Sequence, residues 1–171
     1  MRATALPSLR PTLAALLYGL LLAAMAAGQL ASLDAFRDAL ASYEVGGLLP
    51  AAVYGLPGAE LFAAVGLLGS RVLPRQAVRV PGRVGLVVAV VWSALAAQAF
   101  ARGLSVENCG CFGAYLSQEL RWWVLLEDAY QLLLAFFAAR SVGARLPTIG
   151  PGADVTDRRG ATEPAGLTGG R

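Results

Sequence analysis

Two cysteines stand one glycine apart in Glu107-Asn108-Cys109-Gly110-Cys111-Phe112-Gly113, and the chain holds no others. Two thiols at that spacing can pass electrons by closing and opening a disulfide. They can also hold a soft metal, or simply sit as small apolar residues near a helix end. A disulfide needs Cα atoms roughly 4.4–6.8 Å apart, which residues two apart reach only in a sharp bend. Glycine tolerates the positive φ that such a bend can demand. The ring would be small and strained, so the bond would be labile and oxidising. Closing so short a loop adds little stability. A Cys109–Cys111 bond is therefore a poor staple and a reasonable electron carrier.

Metal binding finds less support. A structural zinc site wants four ligands, and the chain offers two cysteines and no histidine. Copper(I) accepts soft thiolates, but the only thioethers, Met1 and Met25, are far from the pair in sequence. A dimer would bring four sulfurs together. No metal is assigned on this reading.

Thiol chemistry needs thiolate. Arg102 precedes the pair and Arg121 follows it, and positive charge favours the thiolate, while Glu107 opposes it. Three carboxyls stand inside apolar stretches. Glu60 lies in Leu56-Pro57-Gly58-Ala59-Glu60-Leu61, and an ionisable residue at such depth is a functional candidate by default. The alternative is a Glu60 hydrogen-bonded to backbone freed by Pro57, which with Gly58 is expected to kink or interrupt its helix. Glu127 and Asp128 can move protons for the thiols, or face a shallow aqueous pocket. The candidate site is Cys109 and Cys111, with Glu60, Asp128 and Arg102 in support.

The elements that must position these residues are membrane helices. Hydrophobic residues make up 57% of the chain and charged residues 15%, against about 45–50% and about 25% in soluble domains. The net charge of +3 comes from arginines placed between apolar segments, the pattern of topology signals rather than of a nucleic-acid face. No nucleic-acid partner is expected.

A spanning helix needs about 20 apolar residues. Four segments qualify, at about 11–30, 48–68, 84–101 and 122–139. None alternates like a barrel strand. The expected fold is an all-α integral membrane protein, a four-transmembrane-helix bundle. The first segment also resembles a signal peptide, with Arg2 and Arg10 ahead of it and Ala24-Met25-Ala26 near its end. Its length and the needs of a bundle favour a span. Leu33, Phe36, Leu40 and Tyr43 recur at helical spacing opposite Asp34, Arg37 and Asp38. They predict a short outer amphipathic helix that lies on the membrane surface or caps the bundle. Trp122 and Trp123 read as interface anchors, and Gln98 and Gln131 as candidates for an interhelical hydrogen bond.

Arginine sets the expected orientation. The loop between the second and third spans carries Arg71, Arg75, Arg79 and Arg83 and no acid, and Arg140 and Arg145 follow the last span. The positive-inside rule then puts both termini in the cytoplasm and the cysteine loop outside, where disulfides persist. Residues 1–10 form a cytoplasmic N-terminus, 11–140 the membrane domain, and 141–171 a disordered cytoplasmic tail rich in glycine and proline.

These residues resemble the MauE family, within the wider DoxX-like four-helix membrane proteins. The resemblance rests on the outer amphipathic stretch 33–43, the Pro57-to-Glu60 element, and Ala101-Arg102-Gly103 leading to Cys109-Gly110-Cys111-Phe112-Gly113. The stretch 122–134, with its acid at Asp128, also fits. Glu127 departs from the pattern, in which a basic residue precedes that acid. The resemblance implies a maturation factor for periplasmic methylamine dehydrogenase, acting in the bacterial inner membrane with a thioredoxin-like extracytoplasmic partner. Moving electrons between membrane and extracytoplasmic thiols is the part of that role that transfers most readily. No motif marks a cofactor, and a membrane quinone held between helices is the carrier such a scheme would call on. The competing readings are a non-catalytic membrane assembly factor, and a copper(I)-handling protein that uses the Cys-Gly-Cys pair.

Overall fold

A computed structural model describes residues 9–143. The expectations for the N-terminal residues 1–8 and for the tail from residue 144 lie outside the described residues. Five α-helices follow in order: α1 (Leu9–Ala31), α2 (Leu33–Ser42), α3 (Leu49–Leu68), α4 (Arg75–Ala101) and α5 (Trp122–Gly143). Four of them are long and apolar enough to cross a membrane, over Leu13–Ala31, Gly46–Arg71, Gln76–Ala101 and Trp122–Arg140. The chain is thus the all-helical four-span protein that hydropathy predicts.

The four long helices close into a ring in which α1 packs on α3, α3 on α4, α4 on α5, and α5 back on α1. The segment with signal-peptide features is therefore an integral stave. Tyr18, Leu22 and Met25 of α1 are buried in the common core with Ala63 and Leu67 of α3, Trp92 of α4 and Ala135 of α5. The opposite faces remain exposed and apolar, as at Leu20, Val65, Val87 and Leu133. In a bilayer those faces meet lipid. Tyr18 donates its hydroxyl to the Gly85 carbonyl at 2.7 Å, joining α1 to α4.

Two elements differ from the sequence reading, and a third settles between its alternatives. The helix α3 runs unbroken through Pro57, because neighbouring helices in a bundle can absorb the lost backbone bond. The arginine-rich loop is also shorter than expected. Arg75, Arg79 and Arg83 belong to the first turns of α4, which carries Pro81 within it. Arginine is a good helix former, so charge at a span end does not stop the helix. Of the two placements expected for α2, the structure takes the cap on the bundle. Its Phe36 and Leu40 are fully buried in the core, and Phe36 packs against Trp92 at 6.3 Å between ring centroids.

Candidate functional site

The α4–α5 connection folds back over the same end of the bundle that α2 covers. Its two arms are tied by Cys109 N–H to the Gln118 carbonyl and by Leu120 N–H to the Val106 carbonyl, both at 2.9 Å. Between the arms, Asn108 shapes the thiol turn. Its side-chain oxygen accepts from Gly110 N–H at 3.0 Å, and its amide donates to the Gly113 carbonyl at 3.0 Å. Gly110 and Gly113 take φ of +79° and +62°, a region that side-chain-bearing residues seldom adopt. Gly110 thus supplies the sharp bend that a Cys-Gly-Cys pair needs. Asn108 was not singled out by sequence reasoning, although an Asn one residue before a cysteine turn is a recognisable turn-former.

The turn is seated on α1 and α2 by contacts from its own backbone. Ser32 donates to the Gly28 carbonyl at 2.8 Å and accepts from Ala114 N–H at 2.9 Å. Gly28 lets the Phe112 carbonyl approach so closely that a Cβ there would lie 2.5 Å from its oxygen. Buried Tyr43 donates to the Cys109 carbonyl at 3.0 Å. Burial and the nearby Cys111, Cys109 and Asp128 hold the Tyr43 phenol well above its ordinary pKa, so it remains a donor. Gln98 in turn donates to the Tyr43 carbonyl at 3.0 Å.

Below the turn lies a buried polar cluster that couples three helices. Gln29 of α1 donates to the Cys111 carbonyl at 3.1 Å and to Glu60 Oε1 at 3.2 Å. Trp92 of α4 donates to the same Glu60 oxygen at 2.7 Å. Gln29 and Glu60 are fully buried, and Gln29 Oε1 and Glu60 Oε2 have no protein partner. Glu60 is therefore tied to Trp92 and Gln29, not to the backbone near Pro57. Sequence reasoning missed Gln29 and Trp92, because single polar or aromatic residues in a span do not announce their partners.

The thiols themselves are free, Cys109 buried and Cys111 half-buried. They share a side-chain hydrogen bond. That bond holds the Cys109 thiol below its ordinary pKa and pushes Cys111 well above it, with burial adding to the rise at Cys111. In that bond Cys111 donates and Cys109 accepts, so Cys109 is the thiol that gives up its proton more readily. Arg102 and Arg121 are engaged elsewhere. Arg102 pairs with Glu44 and donates to Gln98 Oε1 at 3.1 Å. Arg121 pairs with Glu119 at 2.7 Å and lies over the Trp123 ring.

Beside the thiols opens a cavity of about 510 Å³, lined by both cysteines with Leu21 and Met25 of α1, Phe112, and Asp128 of α5 among others. Asp128 is almost fully buried, and its Oδ2 has no protein partner. Glu127 accepts from Gln118 at 3.1 Å. Gln131 donates to Met25 Sδ at 3.8 Å, and Gln98 and Gln131 bond to these other partners. The structure thus gathers Cys109, Cys111 and Asp128 around one cavity and links Glu60 to the turn through Gln29. Arg102 stands at the exposed edge. Met25, remote in sequence, contributes a third sulfur to the cavity wall. Among the described residues no group of three His, Cys, Asp or Glu side chains forms a metal site.

Residues 7–141 match the family described as methylamine utilisation protein MauE. No curated protein and no solved structure matches the chain.

Proposed function

The chain belongs to the MauE family of methylamine utilisation membrane proteins, and on that footing we propose that it is a membrane thiol–disulfide redox protein. Cys109 and Cys111 cycle between dithiol and disulfide, and exchange with a thioredoxin-like extracytoplasmic partner through a mixed disulfide. The cysteine end of the bundle faces outward from the bacterial inner membrane and the arginine-bearing end faces the cytoplasm, on the arginine distribution. The family description gives methylamine utilisation, and maturation of methylamine dehydrogenase is the finer role that the resemblance implies.

One observation carries the reading. The two thiols stand one glycine apart in a turn bent at Gly110 and held by Asn108, Tyr43, Gln29 and Ser32. A rigid turn keeps both sulfurs within reach of one bond while the cavity leaves them accessible. Asp128, on the cavity wall with an unpartnered oxygen, is the candidate proton acceptor. Glu60 acts at one remove, holding the turn through Gln29. Arg102 tethers the loop end to the α2 side through Glu44.

The test is exchange with a purified thioredoxin-like protein, followed by alkylation and mass measurement. The wild-type chain is expected to oxidise or reduce the partner, and Cys109→Ser and Cys111→Ser to do neither while still inserting in the membrane. Full exchange by either serine variant overturns the proposal.

A second reading has one observation in its favour. Met25 lines the same cavity as the two cysteines, and three sulfurs suit copper(I). Stoichiometric copper in the purified protein, lost in the double-serine and Met25→Leu variants, would establish it.

A further inference from the structure

The cavity beside the thiols differs from an ordinary thiol-exchange cleft in where it opens. Part of its wall is Leu126 and Tyr130 of α5, which are 60% and 59% exposed. Both lie within the Trp122–Arg140 span. Exposed apolar side chains within the span face lipid, so this side of the cavity opens to the bilayer, while the exposed Glu127 and its partner Gln118 form a polar rim toward the loop. The cavity volume of about 510 Å³ falls within the range of small-molecule pockets, about 300–1,000 Å³. Its walls are mostly apolar, from Leu21, Met25, Phe112 and Val124. Its polar lining is Asp128 and Gln131 together with Gln118 and Glu127, which bond to each other at 3.1 Å. The unpartnered, nearly buried Asp128 Oδ2 gives a bound molecule something to meet.

We propose that this cavity takes the ring of a lipid-soluble quinone, bringing it against Cys109 and Cys111 from the bilayer side. The inference rests on the thiol–disulfide reading and names the electron acceptor for that same pair. The chemistry balances. The dithiol loses two electrons and two protons, both S–H bonds are given up, and the Cys109–Cys111 bond forms. The quinone takes the two electrons and two protons at its two oxygens and leaves as the quinol. Both Asp128 and Gln131 line the cavity; the Gln131 amide can donate to a ring oxygen, and Asp128, once it has taken a thiol proton, can pass it there. The partner then reduces the disulfide from the other side, through the turn. Two substrates of opposite solubility thus reach one pair of sulfurs by separate routes.

The test uses the full chain in lipid nanodiscs, reduced, freed of reductant, and mixed with decylubiquinone. The expected result is one quinol formed per dithiol lost, with an intramolecular disulfide found by mass. Leu21→Trp, which fills the cavity, is expected to slow quinone reduction about tenfold while exchange with oxidised thioredoxin continues. Should Leu21→Trp lose both reactions, Leu126→Trp on the exposed rim is read instead, with the same expectations. Exchange with thioredoxin but no quinol in the wild-type chain overturns the quinone proposal and leaves the thiol–disulfide reading standing. Quinol formation at an unchanged rate in both tryptophan variants overturns the cavity as its site. Failure of both reactions in the wild-type chain removes the thiol–disulfide reading, and the quinone with it.

Discussion

The side-chain amide of Gln29 donates to the backbone carbonyl of Cys111 at 3.1 Å, across 82 residues of sequence. The same nitrogen reaches the Glu60 carboxyl, so the thiol turn is anchored to a buried acid on a third element. This contact explains why a surface loop can hold two sulfurs in a fixed relation. A turn held only by its own arms would fray, whereas this one is bonded into the bundle.

That anchor is open to mutation. Trp92→Phe removes the 2.7 Å bond to Glu60 and keeps most of the buried ring. A lost hydrogen bond to a buried group costs about 1–3 kcal/mol. The expected result is lower thermal stability in detergent and a slower thiol exchange. Glu60→Gln is expected to be milder than Glu60→Ala, because its amide oxygen can still accept from Trp92. Equal loss in both variants would show that the carboxyl itself matters.

Gly28→Ala tests the seat of the turn. Its Cβ would lie 2.5 Å from the Phe112 carbonyl oxygen, and both are backbone-fixed. Overpacking of this kind costs about 1–3 kcal/mol. The expected outcome is a displaced turn, read as increased cysteine alkylation and slower exchange in a protein that still inserts. Unchanged alkylation would place the turn elsewhere.

Tyr43→Phe removes one donor from the Cys109 carbonyl. The expected loss is about 1 kcal/mol of stability, with a measurable fall in exchange rate and no change in membrane insertion. A wild-type exchange rate would mean that Asn108 and Gln29 suffice to hold the turn.

The pH dependence of alkylation follows from the shared thiol bond. Cys109 is held below the ordinary thiol pKa and Cys111 well above it. As pH rises, Cys109 loses its proton first and becomes reactive, and it returns to the unreactive thiol as pH falls. Cys111 follows only at higher pH, because a second negative charge beside the first is unfavourable. Iodoacetamide labelling of the reduced protein, mapped by peptide mass, should therefore show two separated steps with Cys109 first. In Cys111→Ser the serine hydroxyl still donates to Cys109, so the Cys109 step should stay closer to its wild-type position than in Cys111→Ala.

Much of the fold was written in hydropathy. Long apolar runs have no alternative but helices in lipid, so the four spans and their order could be read directly. The sharp bend between Cys109 and Cys111 was also visible, because a lone glycine between two residues permits the positive φ that Gly110 takes. The rest depended on long-range pairing. Gln29 stands near the end of α1, where a polar residue looks like a boundary marker. Its partners, Glu60 and Cys111, are 31 and 82 residues away. Met25 seemed remote from the thiols because sequence distance says nothing about facing staves of a bundle. Pro57 carried a strong local signal for interruption, and the continuous α3 overrode it.

The most direct test of the account is the redox state of Cys109 and Cys111 in growing cells. Cells are acid-quenched, denatured, and treated with a mass-tagged alkylating agent before or after reduction. The account predicts that a substantial fraction of the pair labels only after reduction, with an intact mass two hydrogens below the dithiol, marking an intramolecular bond. Both thiols labelling freely under every growth condition would contradict it.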